Sequence, residues 1–270
     1  MDLQAAKQAA GATVSVCLPA LNEEATVGAI VREVHDALVT TGFVDEVVVV
    51  DDGSTDGTAR EARAAGARVV SEALVLPESG PGSGKGNAMW KSLHASSGDI
   101  ICWLDADLRN FSADYVTRLV GPLLTEPGIL MVKGFYERGF EGAPTGGGRV
   151  TELVARPLLS LLFPKLADIV QPLGGEYAGR RSAFEVLPFI EGWGVELGLL
   201  IDIVERFGRE AIAQADLGTR EHRNRPLHQL APQAMEVMAA ALRRAGVEAP
   251  YEALVRERPP IITVPTYRDR

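Results

Sequence analysis

Asp99-Ile100-Ile101-Cys102-Trp103-Leu104-Asp105-Ala106-Asp107 decides how the rest of the chain is read. Its apolar run follows Gly98 and is short, unbroken and rich in large side chains, which predicts a strand buried on both faces of a parallel sheet. Such sheets bind ligands just beyond the carboxyl ends of their strands. Asp105 and Asp107 fall at that edge, one residue apart. Paired carboxylates there make a hard oxygen site, suited to Mg²⁺ or Mn²⁺ bound together with substrate phosphates.

The upstream sequence repeats the same alternation. Val14 to Leu18 predicts a first buried strand, ending in Pro19-Ala20-Leu21-Asn22-Glu23-Glu24. Asn22 suits a helix N-cap, Glu23 and Glu24 suit a first turn, and Val27, Ile30, Val31 and Val34 keep helical spacing. A second strand over Glu46 to Val50 runs into Asp51-Asp52-Gly53-Ser54-Thr55-Asp56, then a helix from Thr58 and a third strand over Arg68 to Ser71. Alternating strands and helices of this length predict an α/β fold with a mostly parallel, doubly wound sheet and helices on both faces. A dinucleotide-binding domain is disfavoured, because no Gly-x-Gly-x-x-Gly follows the first strand.

At 270 residues the chain can bury a sizeable core. Its net charge of −9 argues against a nucleic-acid partner or an anionic membrane surface. No apolar run is long enough for a membrane span, and the first residues lack the apolar stretch of a signal peptide. Cys17 and Cys102 both fall in expected core strands, as small apolar residues of a reducing compartment. The expected location is the cytoplasm.

Leu76 to Gly86 reads as a mobile Gly/Ser/Pro loop before a helix over Asn87 to Ser96. The P-loop pattern fails, since Gly86 follows Lys85. A lysine at a helix N-terminus still suits an anion, and Lys85 is assigned to the diphosphate or to the base and ribose. Strands are expected at Ile129 to Gly134 and Ile212 to Ala215, and helices at Ala113 to Thr125, Leu153 to Leu162 and Gly192 to Val204. Gly142 to Gly148 is a glycine-rich loop ending in Arg149-Val150-Thr151 at a helix start. Backbone N–H groups, a guanidinium and a hydroxyl there make a metal-free phosphate or carboxylate site. Leu227 to Ala245 reads as an amphipathic helix with Leu230, Met235, Met238 and Leu242 on its packed stripe. The tail from Arg256 to Arg270 reads as extended over the surface.

Four blocks in order carry a resemblance: Pro19-Ala20-Leu21-Asn22-Glu23-Glu24, Val50-Asp51-Asp52-Gly53-Ser54-Thr55-Asp56, Gly84-Lys85-Gly86-Asn87-Ala88 and Leu104-Asp105-Ala106-Asp107. The set resembles glycosyltransferases of the GT-A fold. It implies that Pro19, Ala20, Leu21, Asn22, Glu23 and Asp52 line the nucleoside pocket, with Lys85, Asp105, Ala106 and Asp107 toward the rest of the donor. Glu24 and Asp56 fit a helix-start charge and a turn cap.

Later blocks narrow it: Gly148-Arg149-Val150-Thr151, Gln171-Pro172-Leu173-Gly174-Gly175-Glu176-Tyr177-Ala178, Gly192-Trp193-Gly194-Val195-Glu196-Leu197-Gly198 and Arg220-Glu221-His222-Arg223-Asn224. These resemble the glucosyl-3-phosphoglycerate synthases and the related mannosyl-3-phosphoglycerate synthases. The resemblance implies a retaining transfer of a hexose from UDP-glucose or GDP-mannose to the 2-hydroxyl of 3-phosphoglycerate, with Mg²⁺ or Mn²⁺ held by Asp107 and His222. Asp107, Glu196 and Arg220 are the catalytic candidates. Arg220 and Arg225 would neutralise donor charge, and Gly148, Arg149, Val150 and Thr151 would bind the acceptor. A homodimer is also implied. Residues 1–134 form the expected donor half and 135–226 the acceptor half, with 227–270 a C-terminal helical extension and tail. The alternatives are a polyprenyl-phosphate or other lipid-directed hexosyltransferase, and a non-catalytic nucleotide-sugar-binding module.

Overall fold

A computed structural model describes residues 2–140, 143–146, 148–220, 227–247 and 255–268. The β-branched runs of the first hundred residues become four parallel strands: β1 (Val14–Ala20), β2 (Glu46–Asp51), β3 (Arg68–Ser71) and β4 (Ile100–Trp103). Later come β5 (Met131–Phe140), β6 (Ala143–Gly146), β7 (Tyr177–Arg180), β8 (Phe189–Ile190), β9 (Ile212–Arg220) and β10 (Glu257–Arg258). Eight of them form one sheet in the order β3-β2-β1-β4-β7-β5-β6, with β9 beside β5. Only β6 and β7 run against the rest. The sheet is therefore mostly parallel, as the alternation predicts.

The helices are α1 (Leu3–Ala10), α2 (Val27–Val34), α3 (Thr58–Ala64), α4 (Gly84–Ala95), α5 (Asp114–Thr125), α6 (Arg156–Leu162), α7 (Arg181–Phe184), α8 (Val195–Phe207), α9 (Ala231–Arg244) and α10 (Pro265–Arg268). Successive strand residues point to opposite faces, and the two faces close two separate cores. Val16, Leu18, Val47, Val49, Ile100 and Cys102 meet the apolar sides of α2 and α5. Cys17, Val48, Val50, Ile101 and Trp103 meet those of α4 and α8. Trp103 anchors the second core, with its ring centroid 5.3 Å from Tyr177 and 4.9 Å from Phe184. Removing so large a buried ring costs about 3–5 kcal/mol.

Register places the functional edge. Ala20 pairs with Asp51, and Cys17 pairs with Trp103, so the loops after β1, β2 and β4 leave the sheet on one side. The chain moves outward from β1 to β2 and β3, then returns to the other flank of β1 as β4. That reversal opens a crevice between β1 and β4.

Several boundaries differ from the sequence reading. Asn22 is no N-cap: α2 begins at Val27 and Asn22 stands in a left-handed turn at φ 58°. α4 begins at Gly84, so Lys85 lies in its first turn rather than in a loop. The segment before it is pinned, because Arg258 donates to the carbonyls of Ser79 and Gly80 at 2.6 and 3.1 Å. The tail is accordingly not a surface strap. β10 pairs with β8, Arg258 is 6 % exposed, and Ile261 is fully buried. β5 and β9 run further than their apolar cores suggest, because each supplies the other's hydrogen-bond partners. In α9 the packed face holds Val237, Ala240 and Ala241, whereas Met235 and Met238 are exposed. The short alanines allow close approach to the neighbouring 192–194 turn, where a Cβ on Gly194 would come within 2.9 Å of Ala240.

Candidate active site

The loop after β1 is fastened to the loop after β2. The Asn22 N–H donates to Ser54 Oγ at 3.0 Å, and Asn22 Oδ1 accepts from the Thr55 N–H at 2.9 Å. The Glu23 N–H donates to Thr58 Oγ1 at 2.8 Å, and Glu24 Oε2 accepts from the Gly57 N–H at 2.7 Å. Asp56 caps Thr58, accepting from its N–H at 2.9 Å. Asn22, Glu24 and Asp56 are therefore spent on shaping the edge. Asparagine tolerates the positive φ that this turn needs.

The loop after β4 is held by a third tie. The Thr26 hydroxyl donates to the carbonyl of Ala106 at 2.6 Å, which fixes the peptide between the two aspartates. The crevice so formed has a volume of about 260 Å³. Pro19, Ala20, Leu21, Glu23 and Asp52 line it from the β1 and β2 side. Lys85, Asp105, Ala106 and Asp107 line it from the α4 and β4 side. Gly84, Ala88 and Trp193 complete the lining, and the sequence reading assigned them no part in it.

Asp105 and Asp107 look equivalent in the sequence, yet they are not equivalent in space. Asp105 Oδ1 lies 2.5 Å from Lys85 Nζ, whose other partner is Glu196 Oε1 at 2.6 Å. Glu196 is only 3 % exposed and comes from the first turn of α8. Burial works against the charge on Lys85, but the carboxylates of Asp105 and Glu196 outweigh it and hold the amine well above the usual lysine range. Lys85 thus faces two acids, where the sequence reading set it against the donor's diphosphate or its base and ribose. Asp107 is half-buried in the crevice lining. The expected two-carboxylate metal site is therefore divided, with Asp105 committed to Lys85.

Asp52 faces a different environment. Burial first, and the neighbouring carboxylate of Glu72 second, push its pKa up to about 6, against a hydrogen bond from the Gly84 N–H. A second layer lies behind the Lys85 trio. Lys133 on β5 is fully buried, donates to the carbonyl of Gly174, and sits 4.5 Å from the centre of the Tyr177 ring. Glu176 is also fully buried. A lysine inside an apolar strand run was the available signal for this layer.

Gly148, Arg149, Val150 and Thr151 stand apart from the crevice lining, at the start of the helical stretch that continues into α6. Gly148 has φ 75°, and its carbonyl accepts from the Glu152 N–H at 3.0 Å. Thr151 is buried, and Val150 belongs to the core beneath α4 and α8. The side chain of Val150 is thus committed to packing. Arg220 ends β9, in register with Arg138 on β5. His222 and Arg225 lie outside the described residues. Among the described residues, no three His, Cys, Asp or Glu side chains cluster as a metal site.

Residues 15–187 match the family described as Glycosyl transferase family 2. A curated relative, the glucosyl-3-phosphoglycerate synthase of Mycolicibacterium smegmatis, is 54 % identical over 251 residues, covering 91 % of this chain and 81 % of that protein. The chain belongs to the glucosyl-3-phosphoglycerate synthase family, within glycosyl transferase family 2. Two crystal structures of the Mycobacterium tuberculosis enzyme of that family superpose closely. One, with Mn²⁺, UDP-glucose and phosphoglyceric acid, has a TM-score of 0.87 at 48 % identity, covering 96 % of this chain and 93 % of that one. The other, with Mg²⁺ and UDP, has a TM-score of 0.86 at 47 % identity, covering 96 % and 94 %.

Divalent metal with a nucleotide thus belongs to homologous structures of this synthase family. The donor set here fits such an ion: Asp107 offers a hard carboxylate in the crevice, and Mg²⁺ or Mn²⁺ needs few protein ligands when substrate phosphates supply the rest. The chain is a glycosyltransferase. No described helix is long and apolar enough to cross a membrane.

Proposed function

We propose that the chain transfers glucose from UDP-glucose to the 2-hydroxyl of 3-phosphoglycerate with retention at the anomeric carbon. The observation that carries this reading is the crevice at the β1–β4 reversal, where Asp107 stands beside a Lys85–Asp105–Glu196 trio. The relatives named for this reaction, matched over nine-tenths of the chain, support it.

Each residue then has a chemical task. Pro19, Ala20, Leu21 and Glu23 bound the nucleoside, and Asp52 accepts from an N–H of the base. Asp107 with His222 holds the cation, which supplies Lewis-acid stabilisation of the leaving diphosphate when bound. Asp105 and Glu196, both held by Lys85, accept hydrogen bonds from hexose hydroxyls. Arg220 and Arg225 add positive charge at the diphosphate. Arg149 and the backbone from Gly148 to Thr151 clamp the acceptor's phosphate so that its hydroxyl meets the sugar. Glu196 orients the hexose hydroxyls, with its Oε1 held by Lys85 at 2.6 Å. Same-face attack, with the donor phosphate taking the proton, gives retention. Residues 1–134 would serve the donor and 135–226 the acceptor. The exposed Leu161, Met235 and Met238 on the adjoining helices α6 and α9 support a homodimer, which light scattering checks.

One observation favours a second donor. A carboxylate at Asp52 matches the two adjacent N–H donors of guanine as well as the single one of uracil, so GDP-mannose is a candidate alongside UDP-glucose. The test incubates the protein with Mn²⁺ or Mg²⁺, 3-phosphoglycerate and either donor. It follows nucleoside diphosphate release and the anomeric configuration of the product. The expected result is UDP release that requires both cation and acceptor. Release that ignores 3-phosphoglycerate but responds to a polyprenyl phosphate would instead establish the lipid-directed alternative. Arg149→Ala should raise the KM for 3-phosphoglycerate on the order of tenfold, since a charge-assisted bond to phosphate is lost. An unchanged KM removes Arg149 from the acceptor site.

A further inference from the structure

Beneath the trio lies a buried amine that none of these tasks uses. Lys133 sits in the middle of β5 with no exposed surface. Lysines are rarely buried so completely unless their ammonium has a partner. Here the partner is a backbone carbonyl, that of Gly174. The Tyr177 ring, 4.5 Å away, adds a cation–π contact, and Lys133 and Tyr177 are register partners on β5 and β7.

The peptide that Lys133 grips leads directly to the site. Gly175, the next residue, lies flat against the carboxylate of Asp105. A Cβ built on Gly175 would come within 2.0 Å of Asp105 Oδ1 and 2.4 Å of Oδ2. The following residue, Glu176, is held from the other side, its carbonyl accepting from the Gly134 N–H at 2.9 Å. The 174–176 turn is therefore clamped to β5 at both ends and forms the floor on which Asp105 rests. Asp105 in turn positions Lys85, and Lys85 positions Glu196.

We propose that Lys133 is a positioning residue of the transfer reaction, holding the Gly174–Gly175 turn against Asp105 so that the Lys85–Asp105–Glu196 trio meets the donor's hexose in one geometry. This rests on the reading of the crevice as a hexose-transfer site. The charged groups around Lys133 come from every neighbouring element: Glu196 on α8, Lys85 on α4, Asp105 after β4 and Glu176 before β7. Burial outweighs the three carboxylates and, together with Lys85, draws the amine down to about 7. The site thus keeps a buried amine where a methionine of similar length would fill the same space. The bond to the turn is what that methionine could not supply.

The test compares the full-length wild type with Lys133→Met, Gly175→Ala and the double variant. For each, kcat, both KM values and the affinity for UDP with Mn²⁺ are measured. Lys133→Met should lower kcat on the order of tenfold to a hundredfold, as misplacement of reacting groups does, while the UDP affinity and the KM for 3-phosphoglycerate stay at wild-type values. Gly175→Ala should behave alike, because its methyl displaces Asp105 directly. The double variant should lose no more than the worse single variant, since both act through one turn. A Lys133→Met enzyme with wild-type kcat overturns the proposal, and so do losses that multiply in the double variant. Should Lys133→Met fail to bind UDP, Gly175→Ala decides alone: a kcat loss with UDP binding kept supports the proposal, and a wild-type kcat overturns it. A wild type with no acceptor-dependent UDP release overturns the hexose-transfer reading itself.

Discussion

The β1–β2 side of the crevice and its α4–β4 side are built by different forces. On the first, side chains of Asn22, Glu24, Ser54, Asp56 and Thr58 close short hydrogen bonds onto nearby backbone, mostly at the surface. On the second, Lys85 joins Asp105 and Glu196 with little exposure, and Lys133 and Glu176 lie buried behind them. The first side is a rigid edge whose bonds are each worth about 1 kcal/mol. The second concentrates opposite charges in a low dielectric, where losing one member strands the others. A transferase profits from both: one surface to recognise a nucleoside by shape, and one to meet polar hydroxyls with fixed ions.

That contrast can be broken by substitution. Asp107→Ala should have the largest effect, lowering kcat/KM by about a thousandfold, because the cation's protein carboxylate is lost. Its circular dichroism should match wild type, since Asp107 is half-buried at the crevice edge and outside the buried trio. Lys85→Met comes next. It leaves Asp105 and Glu196 facing each other without their cation, which should cost about 3–5 kcal/mol of stability in denaturant unfolding as well as activity. A variant as stable as wild type would mean that the trio is not held by charge.

The smallest effect belongs to Asp52 and has the opposite sign. Its folded pKa of about 6 lies above the ordinary value of 3.8, so the folded state holds a proton that the unfolded chain releases between those values. Stability from this group is present at low pH and is lost as pH rises through 6. Asp52→Asn should therefore stabilise the protein by about 1 kcal/mol at pH 7.5, once solvent screening of a half-exposed carboxyl is counted, and by almost nothing at about pH 3, below the unfolded value. Equal effects at both pH values would show that Asp52 is not penalised by its surroundings.

The same contrast explains what could be read in the sequence. The β1–β2 side was legible because its signals are local: an apolar run, a turn of Pro, Asn and Gly, and acids at a helix start. The four parallel strands were legible for the same reason. The other side was legible only as separate pieces. Lys85, Asp105, Lys133, Glu176 and Glu196 come from five segments, and their pairing is fixed by sheet order, which no local pattern encodes. Arg258 makes the same point: it sits in a Pro-rich stretch that resembles a surface tail, yet it is buried against Asn87, Glu191 and the 79–80 carbonyls. The outer ends of β5 and β9 were missed because Gly134, Gly139 and Gly218 interrupt any alternation. Their strand character comes from pairing with each other.

Manganese anomalous diffraction from crystals grown with UDP-glucose tests the division of the aspartates most directly. The anomalous peak is expected within coordination distance of the Asp107 carboxylate, with Asp105 still bonded to Lys85. A peak bridging both carboxylates, with Lys85 turned away from Asp105, would contradict it.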